Sequence, residues 1–202
     1  MAGKSGFMKD AFTLFAITLI SGVALGAVYE VTKEPIAQAT IAANNATYKE
    51  VFAEADSFEE LTDIDITAIN AELAGGEFGN VGLTSVLAAK DAAGTDLGYV
   101  VNSYSNDSYG GKVSISVGLK DGGSITSIGF LEINDTPGLG LKAKEPAFKD
   151  QYIGKAAEKL SVVKGGGAGD AEINAISGAT ISSNAVTNAV NAALYFNQNY
   201  AN

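Results

Sequence analysis

Ser177-Gly178-Ala179-Thr180 stands just before an apolar-periodic stretch, and its residue types suit one kind of chemistry. Thr180 offers a secondary hydroxyl, and the two residues before it are too small to block a bulky group from that oxygen. Gly178 gives the turn access to positive φ, and Ala179 keeps one side of it uncluttered. The stretch 182–200 predicts a helix that buries Val186, Ala189, Val190, Ala193 and Leu194. Thr180 then sits beside a helix N-terminus, where unpaired N–H groups and the positive end of the macrodipole favour a phosphate. Ser182 and Ser183 are placed to cap that helix and to donate hydrogen bonds to phosphate oxygens. A hydroxyl held there is suited to carry a phosphate ester. The plainer reading of 177–183 is a helix-capping turn, and these residues alone do not decide between the two.

Two further segments carry residues suited to a site. In Thr136-Pro137-Gly138-Leu139-Gly140, Pro137 fixes one turn position and Gly138 supplies the next, as in a type II turn. Its glycines permit close backbone approach to a flat ring, and Leu139 offers an apolar surface; an ordinary loop leaving a strand has the same composition. Tyr109-Gly110-Gly111 is a turn before a strand, with Tyr109 either walling a site or packing in the core. Lys142 and Lys144 are cations that can neutralise a phosphate or simply face solvent.

The elements that must position these segments follow from periodicity. Residues 113–117 alternate Val-Ser-Ile-Ser-Val, which predicts a strand with one face buried. Asp121-Gly122-Gly123 is a hairpin turn joining it to a strand over 125–133, and 91–94 does the same job earlier. Further strands are expected at 84–89 and 97–103, with a short one at 160–163. Pro35 suits the first turn of a helix reaching about residue 52, and 59–73 reads as a second, short helix. Helical turns over 145–149 and 150–156 surround the aromatic pair Phe148 and Tyr152. The run Gly165-Gly166-Gly167-Ala168-Gly169 lacks the Gly-Lys-Ser/Thr of a nucleotide P-loop and reads as a connector.

Residues 12–29 carry no charge and lie between Asp10 and Glu30. As a helix they extend roughly 27 Å, close to the hydrocarbon thickness of a bilayer. A cleaved signal peptide is the rival, with Ala24-Leu25-Gly26 as its processing site, but the apolar run exceeds the usual length of such a segment. Lys4 and Lys9 before the span, against Lys33 beside Glu30 and Glu34 after it, place the N-terminus in the cytoplasm. Gly22-Val23-Ala24-Leu25-Gly26 would let another helix approach closely. The expected organisation is therefore residues 1–33 as cytoplasmic N-terminus and transmembrane anchor, then one extracytoplasmic domain over 34–202.

The chain contains neither histidine nor cysteine. Thiolate-held iron–sulfur clusters, c-type haem, zinc fingers, disulfides and a Ser-His-Asp triad are all excluded by that. Electron transfer, if it occurs, falls to a bound organic cofactor. Asp63-Ile64-Asp65 is the nearest approach to a calcium loop and lacks the remaining ligands, so no metal site is expected. A net charge of −10 and a pI near 4.4 disfavour nucleic acid as a partner.

Ser177-Gly178-Ala179-Thr180 followed by Ile181-Ser182-Ser183 resembles the flavinylation motif of FMN-binding domains in the G subunit of the Rnf-type electron transport complex. The C subunit of the sodium-pumping NADH:quinone reductase carries a similar motif. The resemblance extends to Ser108-Tyr109-Gly110-Gly111, to the strand at 113–118 and to Thr136-Pro137-Gly138-Leu139-Gly140, and covers most of 99–197 plus the anchor. This chain has Asn174 where the family usually has an acid before the motif. Ile133 and Asp135 stand where a His and a Glu are common.

The resemblance implies an α+β fold: one N-terminal transmembrane helix, then one FMN-binding domain with a mainly antiparallel sheet flanked by helices. It implies that Thr180 bears FMN through a phosphodiester placed by a separate flavin transferase. The other cofactor-binding residues it implies are Ser177, Gly178, Ala179, Ser182, Ser183, the 136–140 loop and Tyr109. The protein would be a single-pass subunit relaying electrons among other membrane subunits of an ion-translocating ferredoxin:NAD oxidoreductase, with no catalysis of its own. The alternatives are the equivalent subunit of a sodium-pumping NADH:quinone reductase, whose greater length counts against it, an anchored extracellular binding module without cofactor, and a stand-alone flavin reductase.

Overall fold

The computed structural model describes residues 4–201; the first three residues of the expected anchor and Asn202 lie outside the described residues. The chain divides into two units between Ala43 and Asn44. The first consists of helix α1 (Lys4–Val51) up to that division, and the stretch Gly6–Val51 is long and apolar enough to cross a membrane. Phe12, Ile20, Leu25 and Val28 are exposed on it, and the apolar run of 12–29 falls wholly within the helix. Pro35 lies inside α1 and not in a first turn. A proline removes one N–H and crowds the preceding turn, but the exposed, alanine-rich sequence after it favours helix strongly enough to continue.

In the second unit, five strands form an antiparallel meander in the order β1 (Ser57–Glu60), β2 (Val81–Lys90), β3 (Asp96–Ser108), β4 (Gly111–Lys120), β5 (Ile125–Ile133). The hairpin turns fall where the glycines require them: Gly94, Gly122 and Gly123 all have positive φ. The expected helix over 59–73 is only half present. Its start is the edge strand β1, paired to Lys90 through Leu87, and helix α2 (Ile66–Ala74) begins later, where the Asp65 carboxylate accepts from the Ala68 N–H at 3.0 Å. Asp63 and Asp65 compete with a helix from within, and Asp65 serves it better from its cap.

Strand β4 is buried on both faces, contrary to the single buried face that its alternation predicts. Val113, Ile115, Val117 and Leu119 point into the main core. On the other face Ser114, Ser116 and Gly118 are small enough for residues 47–52 to lie directly on the sheet. A Cβ on Gly118 would stand 2.4 Å from the Val51 carbonyl oxygen, and one on Gly129 would stand 2.5 Å from Thr47 Cγ2. Tyr48, Val51 and Phe52 form a second core there with Leu87, Ala89 and Val100. Asn102 fills the polar centre of that face: its amide donates to Tyr48 Oη and Ser85 Oγ, each at 2.8 Å, and its carbonyl accepts from Ser116 Oγ at 2.6 Å.

Helix α4 (Thr180–Tyr200) covers the main-core face, with Val186, Ala189, Val190, Ala193 and Leu194 buried as its periodicity predicts. Its opposite side is buried too. Ser183, Thr187 and Asn191, spaced four residues apart, are each held by a loop that folds over the helix. Ser183 Oγ accepts from the Ile176 N–H at 3.0 Å. Thr187 Oγ1 donates to the Ser183 carbonyl at 2.9 Å, so it accepts from the buried Tyr152 hydroxyl at 2.8 Å. The Asn191 amide spans the backbone of Leu160, accepting from its N–H at 2.8 Å and donating to its carbonyl at 2.9 Å. Beyond Leu160, β6 (Ser161–Val163) pairs in parallel with β7 (Glu172–Asn174), the glycine run 165–167 closing the connection between them at positive φ. A 3-10 turn (Gly140–Lys144), helix α3 (Pro146–Lys149) and a second 3-10 turn (Asp150–Tyr152) follow β5, and Phe148 meets Tyr152 edge-on with ring centres 5.7 Å apart.

Asn191→Ala strands two buried backbone groups, so it should cost about 2–4 kcal/mol. Asn184→Ala, on the exposed part of the same helix, should change stability by no more than about 0.5 kcal/mol. Urea titration of the two variants checks this, with equal slopes expected for both.

Candidate functional site

Three segments far apart in sequence meet at the N-terminal end of α4. The first is the two-residue turn between Ser108 and Gly111, which are paired across β3 and β4. The second is the turn leaving β5, where the Leu139 N–H donates to the Thr136 carbonyl at 3.1 Å and Gly138 has φ +76°. These features make it the type II turn expected from Thr-Pro-Gly. The third is residues 178–182, with Gly178 at φ +78°.

Between them lies a half-open cleft of about 500 Å³, lined by Tyr109, Thr136, Leu139, Gly140, Gly178, Ala179, Thr180 and Ser182 among the expected site residues, together with Asp135 and Ile181. Of the other expected residues, Pro137 and Gly138 build the turn, Ser177 is exposed beside the cleft, and Ser183 is buried behind it. Lys142 and Lys144 do not line it. Tyr109, Leu139 and Ile181 are among the few large apolar side chains that this unit exposes, and all three belong to this one cleft. A cleft with apolar walls and a few convergent polar groups is the usual form of a small-molecule site.

Thr180 is half-buried and opens α4 itself, two residues earlier than the periodicity predicts. The first helical bond runs from the Ser183 N–H to the Ala179 carbonyl at 3.0 Å. The N–H groups of Thr180, Ile181 and Ser182 therefore have no partner inside the helix, and no side chain caps it. The serine hydroxyls do not fill that role. Ser183 gives its proton to the Ala179 carbonyl at 2.9 Å, and the Ser182 hydroxyl favours the charged form of the Asp135 carboxyl. A seryl hydroxyl has one proton to donate, and the proton of Ser183 is already committed inward.

Asp135 is the residue of this site whose role the sequence does not reveal. It is 7% exposed and accepts from the Ser108 hydroxyl at 2.6 Å and the Thr136 N–H at 2.7 Å, with the Ser182 hydroxyl and the Gly110 N–H also favouring its charged form. Burial alone would push its pKa up, but these hydrogen bonds together outweigh burial and hold the carboxyl below its ordinary value. An aspartate before Thr-Pro-Gly signals a local turn. Nothing local announces that Ser108, 27 residues earlier, reaches the same oxygen pair.

The sequence matches the FMN-binding domain family over residues 108–195, a span that includes all three segments of the cleft. Over 193 residues the chain is 36% identical to the G subunit of the Na(+)-translocating ferredoxin:NAD(+) oxidoreductase complex of Acetobacterium woodii, covering 95% of this chain and 91% of that one. It is 31% identical to the G subunit of the proton-translocating ferredoxin:NAD(+) oxidoreductase complex of Clostridium ljungdahlii, covering 92% of each. The C subunit of the Na(+)-translocating NADH-quinone reductase of Vibrio alginolyticus is 38% identical over 74 residues, only 33% of this chain and 29% of that one.

A depressed carboxyl pKa contributes stability that is complete above the unfolded value, about 3.9, and is lost as the pH falls through the lower folded value. The stability gap between the wild type and Asp135→Asn should therefore be flat above about pH 5 and shrink below about pH 4. Denaturant titrations across that range measure the gap directly.

Proposed function

This chain belongs to the G-subunit family of ion-translocating oxidoreductase complexes and matches the FMN-binding domain family, and we propose that it is the electron-relaying flavin subunit of such a membrane complex. The NADH-quinone reductase reading is the weaker one, because that likeness is confined to a third of the chain while the likeness to the ferredoxin-linked G subunits runs through nearly all of it.

FMN is attached in this reading through a phosphodiester to Thr180 Oγ1, placed there by a flavin transferase. The observation that carries the assignment is the position of Thr180: a half-buried hydroxyl at the first residue of α4, in the wall of the cleft, beside three helix N–H groups without helical partners. The fit is good on other counts. The N–H groups and the macrodipole suit a phosphate. Ala179 and Gly178 leave the hydroxyl accessible to a bulky donor, and Tyr109, Leu139 and Ile181 supply apolar surface for a flat ring. When bound, FMN supplies the capacity to take up and pass on electrons. The chain's own residues hold it, orient it and, through the tether, keep it at high effective concentration over the cleft. The tether suits a carrier working outside the cell.

The anchor lies within residues 1–33 and the flavin domain over 34–202 on the extracytoplasmic side, an orientation supported by Lys4 and Lys9 before the apolar run. The partners are the other membrane subunits of the complex.

Coexpressed with its transferase, the wild-type chain should give a fluorescent band that survives denaturing electrophoresis. Thr180→Ser should keep the band and Thr180→Ala should lose it. A band persisting in Thr180→Ala would remove the attachment assignment, and a colourless wild type would favour a cofactor-free binding module. Orientation has its own test, because the chain has no cysteine: Asn184→Cys creates a single thiol, which a membrane-impermeant maleimide should label on intact cells. Labelling only after lysis would reverse the topology.

A further inference from the structure

We propose that Asp135 is the positioning residue of the cleft, the group that locks its three segments together and so presets the Thr180 hydroxyl before any ligand arrives. The inference rests on the reading of the cleft as the FMN site, but its geometry belongs to the protein alone. The carboxylate accepts from the Ser108 hydroxyl of the first segment at 2.6 Å and from the Thr136 N–H of the second at 2.7 Å; the Ser182 hydroxyl of the third lines the same cleft and, with the Gly110 N–H, favours the charged form. One side chain thus joins the β3–β4 turn, the Thr-Pro-Gly loop and the first turn of α4. The groups that favour its charged form are all uncharged, so polar neighbours and not a cation answer the buried charge.

The surrounding backbone is shaped to admit this group. A Cβ on Gly140 would lie 2.1 Å from Asp135 Cγ and 2.5 Å or less from both carboxylate oxygens. A Cβ on Gly110 would lie 2.2 Å from the Asn134 carbonyl oxygen and 2.7 Å from Asp135 Cα. The last glycine of the Thr136–Gly140 block is therefore required by the acid behind the cleft, independently of any ring in front of it. Ser182, which lines the cleft with Asp135 and favours its charged form, is two residues from Thr180 and on the same helical turn, so Asp135 acts on the attachment oxygen through the placement of that turn.

Amide hydrogen exchange on the full chain in detergent, made without transferase, tests the lock in the absence of flavin. In Asp135→Asn, exchange should quicken together in 108–111, 136–141 and 179–183, roughly tenfold or more as expected for a lost charge-assisted bond. Protection in β2 and the middle of α4 should stay at the wild-type level. A carboxylate lock also has a signature that packing lacks. After correction for intrinsic rates, wild-type protection in all three segments should fall in concert below about pH 4, while in Asp135→Asn it should not vary with pH. Gly140→Ala, which displaces the carboxylate without removing it, should loosen the same three segments.

With transferase limiting, the initial rate of flavin attachment to Asp135→Asn should drop by roughly tenfold, tracking the loosened cleft. Unchanged exchange, loosening of 136–141 alone, or wild-type segments that lose protection at different pH values would each overturn the proposal; the last comparison needs no variant to fold. Flavin persisting in Thr180→Ala would instead defeat the attachment reading while leaving the exchange result intact.

Discussion

Helix α4 is buried on both its apolar and its polar sides, and the arrangement of the second unit depends on how that polar side is satisfied. A buried hydroxyl or amide without a partner is costly, so Ser183, Thr187 and Asn191 must each find one. They find them in three separate loops, at Ile176, Tyr152 and Leu160. The stripe thereby fixes the register of segments that have little regular structure of their own. Burial raises the pKa of the Tyr152 phenol and its bond to Thr187 only partly offsets this, so the group stays protonated and continues to donate. Ser182, one position over, favours the charged form of the Asp135 carboxyl.

The sheet carries the complementary constraint. Its main-core face is filled by branched aliphatic side chains, whereas the opposite face is kept shallow by Ser114, Ser116, Gly118 and Gly129. Small residues there let the backbone at Val51 come close enough to accept a hydrogen bond from the Thr126 hydroxyl. The sheet is in this way held between the end of α1 and α4. The loops at the N-terminal end of α4 build the cleft on a base whose position is already determined, which is the condition for a precise site.

What could be read from the sequence was what depends on near neighbours. Pro137 and Gly138 specify a type II turn from two positions, Asp121-Gly122-Gly123 specifies a hairpin, and the apolar spacing of 186–194 specifies a buried helix face; each is present. What could not be read depends on distant ones. Ser183, Thr187 and Asn191 have the spacing of a solvated helix face, and only the loops packed over them make it an interior. Strand β1 has a single partly buried apolar residue, Phe58, and exists because β2 offers it an edge. The place of Thr180 beside the start of α4 was legible through its neighbours, whereas Asp135, in the same cleft, was visible only as a departure from a family pattern. Its partners come from both sides of it in sequence and converge only in the folded chain.

Because α4 follows every other element in chain order, the cleft cannot exist on a nascent chain until that helix has left the ribosome and docked. A polypeptide cut short before residue 180 keeps Tyr109, Thr136 and Leu139 but lacks the Thr180 hydroxyl, Ile181 and Ser182 that complete the cleft.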